Sequence, residues 1–242
     1  MKLVDFAVDC EYFGLKKYLE QSIKERGWSE NDVRAEEFRR NEAFKRREFE
    51  LQTRCICALF SRLLGKYETE DTKALRVLCV EKTEGAEMLT LYGGFCRIQA
   101  YFDYTAFTAL DDFGKKKAIL EVLMKGIRRV AVMKNWKIEP FECVYEQIIK
   151  TNYVNEWYWG KPKQSPDGKC KAKLFLQHEL REIVMSIVVV DRKDNELKRQ
   201  AILVEEPSEY QYVQHLGELK WLDNETVALF HKYNNEKKCL HI

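Results

Sequence analysis

Proline is scarce in this chain, glycine only a little less so, and histidine almost missing, at four, eleven and four residues. That leaves little material for long linkers or low-complexity tails. No run approaches the roughly eighteen uncharged apolar residues that a membrane helix needs. Met1-Lys2-Leu3-Val4-Asp5 reaches an acidic residue before an apolar stretch can develop, so the N-terminus does not read as a signal peptide. There is no C-x-x-C, P-loop, G-x-G-x-x-G or G-x-S-x-G, which removes the commonest zinc, nucleotide and hydrolase signatures.

What is present describes a core-forming chain. Its 242 residues, 45% hydrophobic and 33% charged, can bury one large core or two smaller ones. Twelve Tyr, thirteen Phe and five Trp argue against disorder. The eight Cys are too few for so large a core to depend on disulfides, so the expectation is free thiols in a reduced, cytoplasmic protein. A net charge of +2 implies nothing by itself about nucleic acid.

The stretch from Phe95 to Trp136 is the most ordered pattern. In Phe95–Tyr104 the even positions Cys96, Ile98, Ala100 and Phe102 are apolar and the odd ones polar or amphipathic, the period of a strand with one buried face. After Asp111-Asp112 the period becomes helical through Trp136, with Asp111 or Asp112 suited to cap the start. Upstream, Lys2–Val8 reads as a short strand and Phe13–Arg26 as a helix. Ser29 and Asp32 form a capping box for a long helix over Glu30–Leu64. Lys73–Lys82, Glu87–Tyr92 and Phe95–Tyr104 are predicted as a three-stranded antiparallel meander, with Gly93-Gly94 as a hairpin turn. Pro140 fits the first turn of a helix over Phe141–Ile149.

Gly160–Lys169 holds two prolines and two glycines and is the expected boundary. Strands follow at Lys171–His178, Arg181–Asp191, Glu196–Val204, Tyr210–Gln214, Glu218–Leu222, Thr226–Tyr233 and Cys239–Ile242. Ile183–Val190 is apolar on both parities and should be central. The predicted fold is α+β: a helical subdomain, 1–159, with the meander and a long amphipathic helix, then an antiparallel β subdomain, 160–242. One continuous domain is the alternative.

The basic helix carries Lys115, Lys116, Lys117, Lys125, Arg128, Arg129, Lys134 and Lys137 against the single acid Glu121. Lys117, Lys125, Arg128 and Arg129 lie opposite its apolar face, as a stripe for phosphates or an acidic protein surface. Glu139, Glu142 and Glu146 are placed to neutralise that stripe instead. The run Tyr153, Trp157, Tyr158, Trp159 suits either an interface or a core seam. Pro166-Asp167 followed by Glu196-Leu197-Lys198 matches the loose carboxylate pattern of a metal-dependent nuclease, although Ser-Pro-Asp-Gly is also turn chemistry. His231, Cys239 and His241 would make a three-ligand metal site at best. No catalytic residue, cofactor or metal site is assigned. The expected role is a non-catalytic protein-interaction protein, immunity-like or adaptor-like, acting through charged and aromatic surface. Nucleic-acid binding through helix 115–137 is second and the nuclease third.

Overall fold

In the computed structural model, residues 1–10, 24–39, 42–81 and 90–242 are described. The chain is α+β and forms two compact units, Met1–Val154 and Asn155–Ile242. Among the described residues no helix is long and apolar enough to cross a membrane.

In the first unit, β1 (Lys2–Leu3) pairs antiparallel with β3 (Tyr67–Glu68). The main sheet has the order β2 (Asp5–Cys10), β4 (Ala74–Val80), β6 (Phe95–Tyr101), β5 (Thr90–Tyr92). Gly93-Gly94 forms the expected two-residue turn between β5 and β6, both glycines having positive φ as a type I′ turn requires. The three-stranded meander is corrected. β4 pairs parallel with both β2 and β6, and β5 is displaced to the edge. β4 is buried along its length except at Arg76, as suits a central strand covered on both faces.

One face of the sheet carries Phe6, Val8, Leu75, Val77, Cys96 and Ile98, all buried. Helices pack on it: α2 (Glu42–Leu64), α4 (Asp112–Lys134) and α5 (Glu139–Lys150), with Phe60 of α2 and Phe141 of α5 edge-on to Phe6. α2 also runs along β2, where Thr53 Oγ1 donates to Val8 O at 3.0 Å and Arg54 Nη1 to Phe6 O at 3.1 Å. These bonds satisfy carbonyls on the strand's outer edge, which would otherwise invite another strand. The long helix expected from Glu30 is described as α1 (Glu30–Arg39) and α2. Ser29 and Asp32 exchange backbone-to-side-chain bonds at its start, as the capping box requires. The helix expected over Phe13–Arg26 lies mostly outside the described residues, which show helix at 24–26.

In the second unit the sheet β7 (Glu156–Gln164), β8 (Cys170–His178), β9 (Ile183–Asp191), β10 (Glu196–Glu205) is antiparallel throughout. It shares a core with the antiparallel β11 (Leu219–Trp221), β12 (Thr226–Phe230) and β13 (Lys237–His241). β9 is central and buried on both faces, as predicted. The expected boundary at Gly160–Lys169 is instead the end of β7 and its hairpin to β8. The pairing slips between Trp159 and Lys163, and that irregularity in an edge strand is where Pro162 is tolerated. Tyr210–Gln214 is also corrected. It forms a helical turn, α6 (Glu209–Tyr212), then a short 3₁₀ turn, because Tyr212 and Leu216, four apart, both enter the core. Trp221 Nε1 donates to Lys163 O at 2.8 Å. Trp221→Phe is therefore expected to lower stability by about 1 kcal/mol in denaturant unfolding, from the loss of that bond.

Candidate functional site

β6 ends at Tyr101 because the chain turns into the short helix α3 (Tyr104–Thr108), whose N-cap is Asp103. Its Oδ1 accepts from Ala106 N at 2.9 Å. Asp111 Oδ1 caps α4 in the same way, accepting from Gly114 N at 2.7 Å. Between this strand end and α4 lies an open cleft of about 640 Å³, lined by Tyr101, Phe102, Asp103, Ala118, Glu121, Val122, Lys125, Arg128 and Arg129. The α4 residues recur at intervals of three and four, so one helical stripe forms a whole wall. Phe102 and Val122 are buried and apolar, and Phe102 is held between Phe49 and Phe107 at ring separations of 5.5 and 5.3 Å. Tyr101 stands at the rim, 54% exposed.

Most charges of the cleft already have partners. Arg128 clasps Glu142 with two bonds, 2.7 and 2.8 Å, and lies over the Tyr145 ring. The pairing lowers the Glu142 carboxyl below its ordinary range. Tyr145 donates to Glu121 at 2.6 Å, and that bond, with burial, pushes the phenol up to about 12. Arg129 Nη1 donates to Gln99 O at 2.7 Å, beyond the end of β5. Lys125 is exposed and has no ion-pair partner among the described residues.

Three of the stripe residues predicted from sequence, Lys125, Arg128 and Arg129, thus share one cleft, while Lys117 is exposed on α4 and does not line it. Elsewhere on the helix Lys115 is buried with Nζ 5.4 Å from the Phe107 ring centre, and Lys134 is paired with Asp71 at 2.8 Å. The expected neutralisation by glutamate is real at Glu142.

The aromatic run does not form one surface. Tyr153 is buried edge-on to Phe113 in the first unit, and Trp157 is part-buried against the core of the second. Tyr158 and Trp159 are half exposed, but as neighbours on β7 they point to opposite faces. Asp167 closes its own turn, accepting from Ser165 Oγ and Lys169 N, which lowers its carboxyl to about 2. Glu196 is paired with Arg199 at 2.7 Å. His241 Nδ1 lies 3.0 Å from Thr226 Oγ1, while His231 faces His215 at a ring separation of 5.0 Å. No group of three acidic, Cys or His residues that could hold a metal occurs among the described residues.

Sequence reasoning missed a charge cluster near the carboxyl end of β2. Asp9 is 3% exposed. Arg46 reaches its two oxygens at 3.2 and 2.9 Å, Arg46 also meets Glu50 at 3.0 Å, and Arg76 approaches Asp9 at 3.6 Å. Burial, the hydrogen bond to Asp9 and its negative charge push the Glu50 carboxyl up to about 7. Burial alone would raise Asp9 too, but the bonds from Glu50 and Arg46 outweigh it and leave Asp9 below its ordinary value. Beside them the Cys10 thiol is pushed up to about 12, first by burial and then by Asp9, and so carries no nucleophilic character. The only signal in the sequence was an acidic residue inside an apolar strand pattern, Phe6-Ala7-Val8-Asp9-Cys10.

Comparison with protein-family models, curated proteins and solved structures finds no match to this chain.

Proposed function

We propose that the chain is a non-catalytic protein-interaction protein, working as an immunity protein or adaptor does, and that it holds an acidic, partly apolar segment of a protein partner in the cleft of the first unit. The observation that carries this reading is Lys125, a cation with no ion-pair partner among the described residues, beside the buried Phe102 and Val122 and the half-exposed Tyr101. A cation and an aromatic rim around an apolar floor are the ingredients of an interface anchor. Asp103 caps α3, Arg128 and Glu121 are bonded to Glu142 and Tyr145, and Arg129 to a backbone carbonyl, an arrangement that suits recognition better than proton transfer. We place this role in the cytoplasm; five of the eight cysteines are buried and none is joined in a disulfide, as suits a reducing compartment.

Nucleic-acid binding along α4 gains less support. Lys115 is buried, and Arg128, Arg129 and Lys134 are engaged by other groups of the protein. What remains is too short a cationic track to follow a phosphate backbone.

The test is affinity capture from the source extract after nuclease treatment, with wild type, Lys125→Glu and Lys117→Glu run side by side. One protein retained by wild type and Lys117→Glu but at least tenfold depleted by Lys125→Glu is expected. Loss of every protein after nuclease, or equal retention by all three, would sink the reading.

A further inference from the structure

The face of the first unit's sheet turned away from the α2–α4–α5 helical layer has an unusual composition on its β5–β6 side. Along β6 the residues on this face are Phe95, Arg97, Gln99 and Tyr101, the inward ones being Cys96, Ile98 and Ala100. Tyr92 of β5 lies opposite Phe95, and Arg76 of β4 lies opposite Arg97. Tyr92 is 88% exposed and Phe95 54%. A solvated sheet face ordinarily carries small or charged residues, so three large exposed rings on the edge strand β5 and its neighbour β6 call for a ligand. Toward β4 the same face closes, because Leu78 and Val80 are buried.

The charges are equally one-sided. Thr90–Tyr101 contains no Asp or Glu, whereas Arg97 is exposed without an ion-pair partner among the described residues and Lys73 Nζ sits 4.8 Å from the Phe95 ring centre. Arg76 and Arg97 face each other directly across two strands. Like charges in that relation destabilise a sheet unless an anion lies between them. Arg76 is answered by Asp9 at 3.6 Å and lies close enough to Glu50 to pull that carboxyl down, so the open cations of this face are Arg97 and Lys73.

We infer that the open β5–β6 face is a platform for single-stranded nucleic acid, with bases stacking on Phe95, Tyr92 and Tyr101 and the phosphates meeting Arg97 and Lys73. Successive same-face residues of a strand are about 6.8 Å apart, comparable to the step of an extended single strand, so Phe95 to Tyr101 spans about 20 Å, or three to four nucleotides. An acidic peptide would use the arginines but gain nothing from ring faces at this spacing. A duplex keeps its bases stacked internally and cannot offer them to the rings. This site is separate from the partner cleft except for Tyr101.

The test is fluorescence anisotropy of labelled 12-mers of dT and U with the full chain, using Phe95→Ala, Arg97→Glu and Lys117→Glu, each checked for its fold by circular dichroism. Saturable binding of one or both oligonucleotides is expected. Phe95→Ala should weaken it roughly tenfold, the loss of one stacked base, and Arg97→Glu should weaken it and flatten its salt dependence. Lys117→Glu, on α4 away from both sites, should leave it unchanged, and Phe95→Ala, which spares the cleft, should still capture the protein partner, so this inference and the protein-partner reading can fail independently. Absence of binding at low salt, equal binding of a 12-bp duplex, or equal affinity for a 12-residue polyglutamate peptide would overturn the inference, the last assigning the face to acidic peptide.

Discussion

Gly126→Val is expected to be the most damaging single substitution in the first unit. Gly126 sits midway along α4, where a Cβ would stand 2.3 Å from Val77 Cγ2. Val77 is fully buried in the central strand β4, so neither partner can turn aside into solvent. Overpacking of a tight core costs about 1–3 kcal/mol and occasionally more, and a β-branched side chain at so short an approach belongs at the upper end. A loss of about 3 kcal/mol corresponds to a fall in Tm of roughly 6–12 °C for a unit of this size. The cause is checked by a double-mutant cycle. Val77→Ala removes the obstructing methyls, so Gly126→Ala should cost much less in that background than in the wild type. Additive effects would mean that the glycine is needed for some reason other than its contact with Val77.

The second large effect is on the pH dependence of stability, through Glu50. In the folded unit its carboxyl keeps a proton up to about pH 7, whereas the unfolded chain releases it near the ordinary value of 4.5. Between those limits the folded state binds more protons, so stability falls as pH rises from about 4.5 to about 7 and levels off above. Asp9 acts in the opposite sense. Its lowered carboxyl contributes stability above the ordinary value of 3.8, and that contribution is lost as pH drops through the lower folded value. The first unit should therefore be most stable between these two regimes, near about pH 4–5. The Glu50 side chain is 43% exposed, so solvent screening cuts the full shift to an effect of about 1–2 kcal/mol between pH 5 and pH 8. Glu50→Gln, which cannot ionise, should abolish the slope in urea unfolding at a series of pH values. A slope that survives the substitution would place the titrating group elsewhere. Asp9→Ala should be more harmful at every pH than Glu50→Gln, because it leaves Arg46 and Arg76 without the buried carboxylate they share.

Local patterns in the sequence carried the helices well. The basic helix expected over Phe113–Trp136 is observed at Asp112–Lys134 with Asp111 as its cap, and the helix after Pro140 is observed at Glu139–Lys150. Both are written in residues close to one another along the chain. So are the Ser29–Asp32 box, the Gly93-Gly94 turn and the double-sided apolar run of β9.

What could not be read depends on which distant segments meet. Strands β4, β5 and β6 have their own patterns, but those patterns do not say that β4 skips its neighbour in the chain to pair parallel with β6. β7 was hidden by Gly160 and Pro162, which are breakers in a central strand and harmless at a slipped edge. The Asp9–Arg46–Glu50 cluster depends on α2 lying along β2, a tertiary contact with no local signature. The cleft was half legible. Its cations were found as a helical stripe, but its floor and the strand end that closes it come from packing around Phe102.

The most direct measurement on the partner cleft is amide hydrogen exchange on the full chain, alone and bound to the protein captured from the extract. Slowed exchange in 117–129 and 101–104, with no comparable change in 155–242, is expected. Protection confined to the second unit, around Tyr158 and Trp159, or protection nowhere in the first unit, would contradict the assignment of the cleft as the partner's seat.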